Sequence, residues 1–115
     1  MIFNVSLYQE QTVKRQAKKT MHIISRKQIK EFWEKHPTSE PSLRNWFKTA
    51  NSSDFHTFAE LKESFGSVDE VDGFHVFNIG GNKTRLIAKI SFQYQKIYIH
   101  SVLTHAEYSK GKWKL

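Results

Sequence analysis

The stretch FHVFNIGGNKTRLIAKISFQYQKIYIHSVLT, residues 74–104, decides the fold of this chain. Its apolar or β-branched residues alternate with polar ones, which is typical of strands with one buried face. Turn residues interrupt the alternation at Gly80-Gly81, and Asp72-Gly73 marks a further turn just before it. The sequence therefore predicts an antiparallel meander over 74–79, 84–92 and 96–104.

Towards the N-terminus the pattern becomes helical. The segment His22-Ile23-Ile24 predicts a short strand, and Ser25 followed by Gln28 has the spacing of a capping box that opens a helix. Pro37 ends this helix. Its apolar side, at spacings typical of one helix face, is formed by Ile29, Phe32 and Trp33.

Two further helices are expected before the meander. Pro41 suits the first turn of a helix that reaches Ala50. Thr57 with Glu60 is a second capping-box spacing, which opens a short helix carrying Leu61. Because helices come first and strands follow, the class is α+β, with N-terminal helices packed on one face of a small antiparallel sheet.

The composition limits the class of protein. At 115 residues the chain fits one domain, and its formal net charge of +7 favours nucleic acid or an acidic protein as partner. The absence of cysteine excludes disulfides and a cysteine nucleophile, and it is compatible with a reducing compartment. No apolar run approaches the roughly 20 residues that span a bilayer. A cytoplasmic protein without membrane association is therefore expected.

Residues 1–20 differ from the rest of the chain. A second methionine, Met21, begins the regular pattern, and the charged residues before it are one carboxylate, Glu10, and the cations Lys14, Arg15, Lys18 and Lys19. Two interpretations stay open. The segment is either a poorly ordered extension from an upstream start codon or a basic arm that contacts RNA or a partner. We therefore divide the chain into a basic extension, 1–20, and a domain, 21–115.

The last two strands are expected to gather polar side chains on one face. A two-residue turn at Tyr94-Gln95 pairs Lys89 with His100 and directs Leu103, with other apolar residues, at the helices. A one-residue slip would bury the cations, because side chains alternate between the two faces. The polar face then holds Arg85, Lys89, Tyr98 and His100.

Two more candidates, His105 and Tyr108, follow the end of the last strand, close to Arg85. Cationic and aromatic side chains together suit RNA, because rings stack on bases and cations hold phosphates. The guanidinium presents a planar fork to phosphate oxygens, and an imidazole exchanges a proton near neutral pH. For strand residues such as Lys89, a plain solvated charge is the alternative.

The other histidines show no metal-ligand pattern. His22, His36, His56 and His75 lie in different predicted elements without an H-x-x-x-H pair, so we expect neither a metal nor another cofactor. His75 could lie on either face of the sheet, in a buried or in a site role. A solvated C-terminal tail that touches phosphate is expected for Lys110, Lys112 and Lys114.

Two motifs resemble the signature of HigB-family toxins. They are the turn and strand VFNIGGNKTRL, residues 76–86, and the tail LTHAEY, residues 103–108. The opening MHIIS, residues 21–25, also resembles the usual start of the family, so the similarity covers about residues 21–110. The G-G-N-x-x-R turn and strand together with T-H-x-E-Y is a more specific signal than either motif alone.

The resemblance implies a RelE-like fold and a metal-independent ribonuclease that cuts mRNA, typically on translating ribosomes. It also implies neutralisation by a HigA-type antitoxin with a helix-turn-helix DNA-binding domain. By matching position, Arg85 corresponds to the family's strand arginine, and His105 with Tyr108 to its C-terminal catalytic pair. Many RelE-like enzymes use several lysines, whereas only Lys83 and Lys89 are placed near this site, which leaves the general base open.

The implied reaction is attack of the RNA 2′-hydroxyl on the adjacent phosphate, with His105 as acid or base and Tyr108 positioning RNA or relaying a proton. A rival class is a binding protein without nuclease chemistry, either a ParE-like gyrase poison or a translation-associated RNA-binding module. A gyrase poison would not need these two residues beside an arginine, which favours the nuclease. The expected RNA-binding residues are Lys83, Lys89, Tyr98 and His100.

Overall fold

The computed structural model describes residues 20–81 and 83–114. This part of the chain forms β1 (His22–Ile24), α1 (Lys27–Lys35), α2 (Glu40–Asn51), α3 (Phe58–Ser64), β2 (Asp69–Val71), β3 (Phe74–Ile79), β4 (Thr84–Ser91), β5 (Lys96–Thr104) and α4 (His105–Ser109). Short 3-10 turns lie at Pro37–Ser39 and Lys112–Lys114. The predicted extension at 1–20 lies outside the described residues, apart from Thr20, and stays a prediction.

The sheet has the order β1-β5-β4-β3-β2. All neighbouring strands are antiparallel except β1, which runs parallel to β5 at one edge. The α+β class and the meander of β3, β4 and β5 are therefore confirmed. The sequence does not predict β2, because its acidic and largely exposed residues lack the alternation of a half-buried strand.

The helices α1, α2 and α3 cover one face of the sheet, as predicted. Their buried residues are Ile29, Phe32, Leu43, Trp46, Ala50 and Leu61. From the strands, this core receives Ile23, Phe77, Ile79, Leu86, Ala88, Ile97 and Ile99. Across the described ranges, no helix is both long and apolar enough to cross a membrane.

Two predicted helix starts have different outcomes. Thr57 is the N-cap of α3, and its hydroxyl accepts a hydrogen bond from the Glu60 N–H at 3.1 Å, which confirms that start. The capping box at Ser25 is wrong, because Ser25 has a φ of 70° and α1 begins without a side-chain cap. The Gln28 amide instead donates to the Ile99 carbonyl at 3.1 Å. This bond ties α1 to β5.

The predicted pairing of β4 with β5 is wrong by two residues near the turn. Lys89 pairs with Tyr98 and not with His100. The turn is longer than two residues, because Gln95 adopts a φ of 54° and its side-chain amide donates to the Phe92 carbonyl at 2.8 Å. This local hydrogen bond closes a wider connection than the pattern of alternation alone indicates.

A bulge in β5 shifts the alternation once more. The neighbouring residues Ile87 and Ala88 pair with β5 residues two positions apart, which leaves His100 between these partners as the extra residue. Beyond the bulge, Leu103 lies on the face away from the helices, so its predicted orientation is wrong. The cause is the extra residue, His100, which no local sequence pattern predicts.

His75 lies on the helix side of β3, which decides between its two possible faces. The residue is 6% exposed, and its ring centre lies 5.8 Å from that of Phe58 and 5.9 Å from that of Phe92. Neither ring nitrogen has a hydrogen-bond partner among the described residues, although a Glu70 carboxylate oxygen lies 3.5 Å from Nε2. Burial lowers the pKa of His75 below 6.5, and Glu70 offsets only part of this effect.

We therefore expect stability to fall as the pH drops below the ordinary histidine pKa of about 6.5. As the pH falls, His75 takes up a proton in the unfolded chain at a higher pH than in the folded protein. The free energy of unfolding therefore decreases as the pH falls from about 6.5 towards the lowered pKa of the folded state. His75→Phe keeps a ring between Phe58 and Phe92 but removes the titrating group. Urea unfolding at about pH 7.5 and about pH 5.5 should show a smaller stability difference in this variant.

The control for this experiment is His56→Gln, because the His56 side chain is 63% exposed. This variant should keep the pH dependence of the wild-type protein. An equal dependence in His75→Phe and wild type would show that His75 is not the group that couples protonation to unfolding.

Candidate active site

The C-terminal end of the chain covers the sheet face away from α1, α2 and α3. Trp113 is buried there, at 7% exposure, in a second small core with Val76, Ile87 and Leu103. The Lys114 ammonium pairs with Asp72 at 3.3 Å and lies over the Trp113 ring. Lys110, Lys112 and Lys114 are exposed, as predicted, but Trp113 anchors the segment that carries them on the sheet.

The short helix α4 positions His105 at one end of this face. A capping box starts the helix: the Thr104 hydroxyl accepts from the Glu107 N–H at 3.1 Å, and a Glu107 carboxylate oxygen accepts from the Thr104 N–H at 2.9 Å. The His105 N–H donates to the Lys83 carbonyl at 2.9 Å, which holds the helix start against the beginning of β4. α4 is not among the helices predicted from the sequence, although the spacing of Thr104 and Glu107 signals it.

Arg85, His105 and Tyr108 come together where β4 begins and β5 ends. The Nη2 atom of Arg85 lies 3.2 Å from Nδ1 of His105, and the Arg85 Cζ atom lies 5.3 Å from the centre of the Tyr108 ring. His105 is exposed and Tyr108 is half-buried, whereas Arg85 is 7% exposed. Arg85 thus lies on the predicted face beside both predicted neighbours, but α4 covers it.

The contact between Arg85 and His105 determines which imidazole nitrogen carries a proton. A guanidinium group donates hydrogen bonds and accepts none, so Nδ1 of His105 is the acceptor in this geometry. In the tautomer that fits this contact, Nε2 carries the ring proton and the Nδ1 lone pair is directed at Arg85. Because Arg85 is buried, its permanent charge acts on the ring through a medium of lower dielectric than water.

An aromatic patch continues from this cluster along the same face. Trp113 stacks on Tyr108 with ring centres 5.2 Å apart and planes at 13°, and its ring lies edge-on to that of Phe74 at 5.5 Å. The His100 ring lies 4.8 Å from Phe74, and its Nε2 lies 2.9 Å from the Trp113 carbonyl oxygen. The Lys89 ammonium lies 4.9 Å from the centre of the Phe74 ring. Phe74 and Trp113 thus join the two ends of the face.

The predicted RNA-binding residues lie at both ends of this face. Lys89 and Tyr98 pair across β4 and β5, and Tyr98 is 43% exposed. Lys83 lies at the other end, next to α4, with an exposed side chain. Phe74 and Trp113 are not among the site residues predicted from the sequence. A tryptophan among terminal lysines was the available signal, because a solvated tail does not need a large apolar ring.

A cavity of about 360 Å³ opens beside Lys83, with Thr84, Thr104 and His36 among its lining residues. Phe32 and Ser42 of α1 and α2 also line it, so the cavity lies on the helix side of the sheet, the face opposite Arg85. In residues 20–81 and 83–114, no three His, Asp or Glu side chains are grouped as metal ligands.

Comparison with known proteins gives the family of this chain. Residues 39–111 match the HigB toxin model, described as the RelE-like toxic component of a toxin–antitoxin system. The chain belongs to the HigB toxin family. The matched range contains the whole cluster of Arg85, His105 and Tyr108. As the toxin of such a system, this HigB-family protein has an antitoxin as its partner, and its RelE-like α+β fold is the one that the motifs implied.

Several curated proteins are similar to this HigB-family chain. The mRNA interferase toxin HigB of Escherichia coli is 38% identical over 91 residues, which cover 76% of this chain and 88% of the relative. The mRNA interferase HigB of Shigella flexneri shows the same identity and coverage. An mRNA interferase HigB from another Escherichia coli strain is 31% identical over 93 residues, or 78% of this chain and 90% of the relative.

The burial of Trp113 predicts a large effect on stability. We expect Trp113→Ala to lower the free energy of unfolding by about 3–5 kcal/mol, because it removes the ring between Tyr108 and Phe74. The control is Tyr94→Ala, since Tyr94 is 67% exposed; it should change stability by no more than about 0.5 kcal/mol. Urea unfolding measures both values. Equal, small effects would mean that the C-terminal segment does not stabilise this face.

Proposed function

We propose that this HigB-family toxin is an endoribonuclease that cuts mRNA at a site formed by Arg85, His105 and Tyr108. The observation that carries the proposal is the 3.2 Å contact between the Arg85 guanidinium and the His105 imidazole. A permanent cation beside a group that exchanges a proton is what phosphodiester cleavage requires. The relatives support the same activity, since they are named mRNA interferases.

The proposed reaction begins with attack of the RNA 2′-oxygen on the adjacent phosphorus. The new O2′–P bond forms while the P–O5′ bond breaks, so the products are a 2′,3′-cyclic phosphate and a 5′-hydroxyl end. The 2′ proton passes to a base, and the departing 5′-oxygen takes a proton from an acid. Charge increases on the phosphate oxygens in the transition state, where a fixed cation is most effective.

Arg85 and His105 carry the first half of this reaction. Without RNA, Arg85 donates to Nδ1 of His105. A phosphate oxygen is a stronger acceptor than a neutral imidazole and competes for the same donors. When phosphate takes them, Nδ1 becomes free to accept the 2′ proton, and Arg85 stabilises the charge on the phosphate. His105 is thus the proposed base, the role that the motifs left open.

Tyr108 and the aromatic patch carry the second half. The Tyr108 hydroxyl protonates the departing 5′-oxygen, while Trp113 holds its ring by stacking. Lys83 and Lys89 hold backbone phosphates on either side of the cleaved bond. Exposed rings along the face, those of Tyr98 and His100, contact bases.

We further propose that cutting takes place on translating ribosomes in the cytoplasm and that the antitoxin is of the HigA type, with a helix-turn-helix domain. The net charge of +7 supports binding to ribosome-bound mRNA, because the phosphate backbone attracts basic proteins from a distance. Mapping cleavage positions on one transcript with and without ribosomes tests the ribosome dependence.

The active-site assignment predicts the behaviour of two variants. His105→Ala should slow mRNA cleavage by about 10²–10⁴-fold, as expected for loss of a general base. Arg85→Lys keeps the positive charge but loses the planar fork, so cleavage should also be slower. Initial rates are measured by primer extension on a defined transcript with purified protein and ribosomes.

The matched control is Lys48→Ala, an exposed residue of α2, which should cut at the wild-type rate. Thermal unfolding shows whether each variant is folded. Undiminished cleavage by both His105→Ala and Arg85→Lys would contradict the site. Failure of the wild-type protein to generate new 5′ ends would contradict nuclease activity altogether.

The role of the Tyr108 hydroxyl is tested separately. Tyr108→Phe keeps the ring that lies between Arg85 and Trp113, so stability should be almost unchanged. Cleavage should be slower by about 10²-fold, because the departing oxygen loses its proton donor. Tyr94→Phe is the control, as its ring is exposed. If Tyr108→Phe cuts at the full rate, the hydroxyl transfers no proton.

A further inference from the structure

A groove of about 690 Å³ lies between β1, α1 and α2, away from the Arg85–His105 cluster. Its floor is apolar and consists of Ile23, Ile29, Trp33 and Phe47. Ile23 and Ile29 are buried, whereas the two aromatic rings are half-buried and so partly open to the groove. A partly open apolar floor of this size is typical of a surface that receives another molecule.

Positive charge surrounds the groove. Its lining includes Arg26, Lys27, Lys30 and Arg44, and no carboxylate among the residues that the structure describes there. The guanidinium of Arg26 lies 5.2 Å from the centre of the Phe47 ring, and that of Arg44 lies 4.7 Å from the Trp33 ring. Carboxylates outside the groove contact two of the cations: Glu31 lies 3.9 Å from Lys27 and Glu40 lies 2.6 Å from Arg44. The groove itself is therefore complementary to acidic groups.

One wall of the groove is the edge strand of the sheet. β1 pairs with β5 on one side, and within the described residues no other strand pairs with it. His22, Ile23 and Ile24, which form all of β1, line the groove. An edge strand beside an apolar floor is suited to binding an extended segment of another protein, because the segment can add to the sheet and place alternate side chains on the floor.

Charge distinguishes between the possible occupants. The chain's own residues 1–19 carry Lys14, Arg15, Lys18 and Lys19 against Glu10, so they share the sign of the rim. A second copy of this chain also repels the groove, with its net charge of +7. RNA has the right charge, but the floor also contains the aliphatic side chains of Ile23 and Ile29, which offer a nucleotide neither a stacking surface nor a hydrogen bond. An acidic, apolar protein segment satisfies every feature.

We propose that the antitoxin binds this toxin in the groove beside β1, through an extended segment that combines carboxylates with large apolar side chains. This inference rests on the antitoxin partnership of the family and extends the proposed function to a surface. The carboxylates pair with Lys30 and Arg44 on the rim, and the apolar side chains contact Trp33 and Phe47. The segment runs along β1 as an additional strand.

The groove is remote from the proposed site of RNA cleavage. β1 pairs with the first residues of β5, Lys96–Tyr98, whereas His105 follows the last residue of that strand. At about 3.3 Å per residue, the two places are about 25 Å apart along β5. The candidate site also lies on the other face of the sheet. Substitutions in the groove should therefore change antitoxin binding without changing the chemistry of cleavage.

The test compares two charge-reversed variants of the full chain. Lys30→Glu with Arg44→Glu changes the groove, whereas Lys35→Glu with Lys48→Glu makes the same change of charge on the same two helices outside it. The probe is the purified antitoxin of this toxin, and calorimetry gives its Kd. We expect the groove variant to bind at least about tenfold more weakly and the control to stay within about threefold of wild type.

A third variant, Trp33→Ala, tests the floor without changing charge, and its Kd should rise about tenfold or more. If Trp33→Ala does not fold, the two double variants still test the proposal, because Lys30, Arg44, Lys35 and Lys48 are all exposed. Groove variants that bind the antitoxin like wild type would overturn the proposal, as would equal losses in the groove and control variants. Loss of mRNA cleavage with unchanged antitoxin binding would assign the groove to RNA and overturn the proposal. Loss of self-association with unchanged antitoxin binding would assign the groove to a second copy of the chain and also overturn it.

The same preparations are assayed for mRNA cleavage by primer extension. A groove variant that cuts like wild type but escapes the antitoxin is the expected result. A wild-type protein that binds antitoxin through the groove yet cuts no mRNA would contradict the nuclease proposal alone, so the two failures are distinguishable.

Discussion

The structure depends on the burial of β4 on both of its faces. Side chains on this strand alternate, so Leu86 and Ala88 enter the core under the helices while Arg85 and Ile87 enter the layer under the C-terminal segment. A buried guanidinium is stable only where neighbouring groups satisfy its charge and its donors. His105 is such a neighbour, and the face of Tyr108 is another. The burial that stabilises the strand thus also assembles the candidate active site.

The second layer is small, and its order comes from a few directed contacts. The capping box of Thr104 and Glu107 starts α4 immediately after β5. Trp113 then returns to the sheet, stacks on Tyr108 and contacts Phe74. These contacts restrict α4 to one position over β4, because its helix is too short to be stable by itself. The geometry of His105 is therefore a result of tertiary packing around Trp113.

The protein presents two basic surfaces that differ in what accompanies the charge. Around Arg85 and Lys89 the cations lie among aromatic rings on a sheet face, an arrangement that matches nucleotides. Around Lys30 and Arg44 the cations border an apolar floor and an unpaired strand edge, an arrangement that matches an acidic protein segment. The two surfaces lie on opposite faces of the sheet, so one small domain can use the same net charge for the two partners proposed above.

Residues close together in the chain could be interpreted correctly without coordinates. The alternation of apolar and polar residues predicted β3, β4 and β5 and placed Arg85 near His105. Helical and capping-box spacings predicted α1, α2 and α3, and the two motifs indicated the family. The same reasoning also placed the polar residues of the last hairpin on one face, because side chains in a strand alternate strictly until a bulge intervenes.

The sequence by itself therefore determined the α+β class and the central strands, because these follow from the period of side chains along one element. It also indicated the residues of the candidate cluster, through the end of the last predicted strand and the motif that contains His105 and Tyr108. Only the tertiary structure decided the pairing of β4 with β5, the bulge at His100, the orientation of Leu103, the burial of Arg85 and the anchoring role of Trp113. Each of these depends on contacts between segments far apart in the chain, and the energy of such contacts leaves no periodic signal in either segment alone.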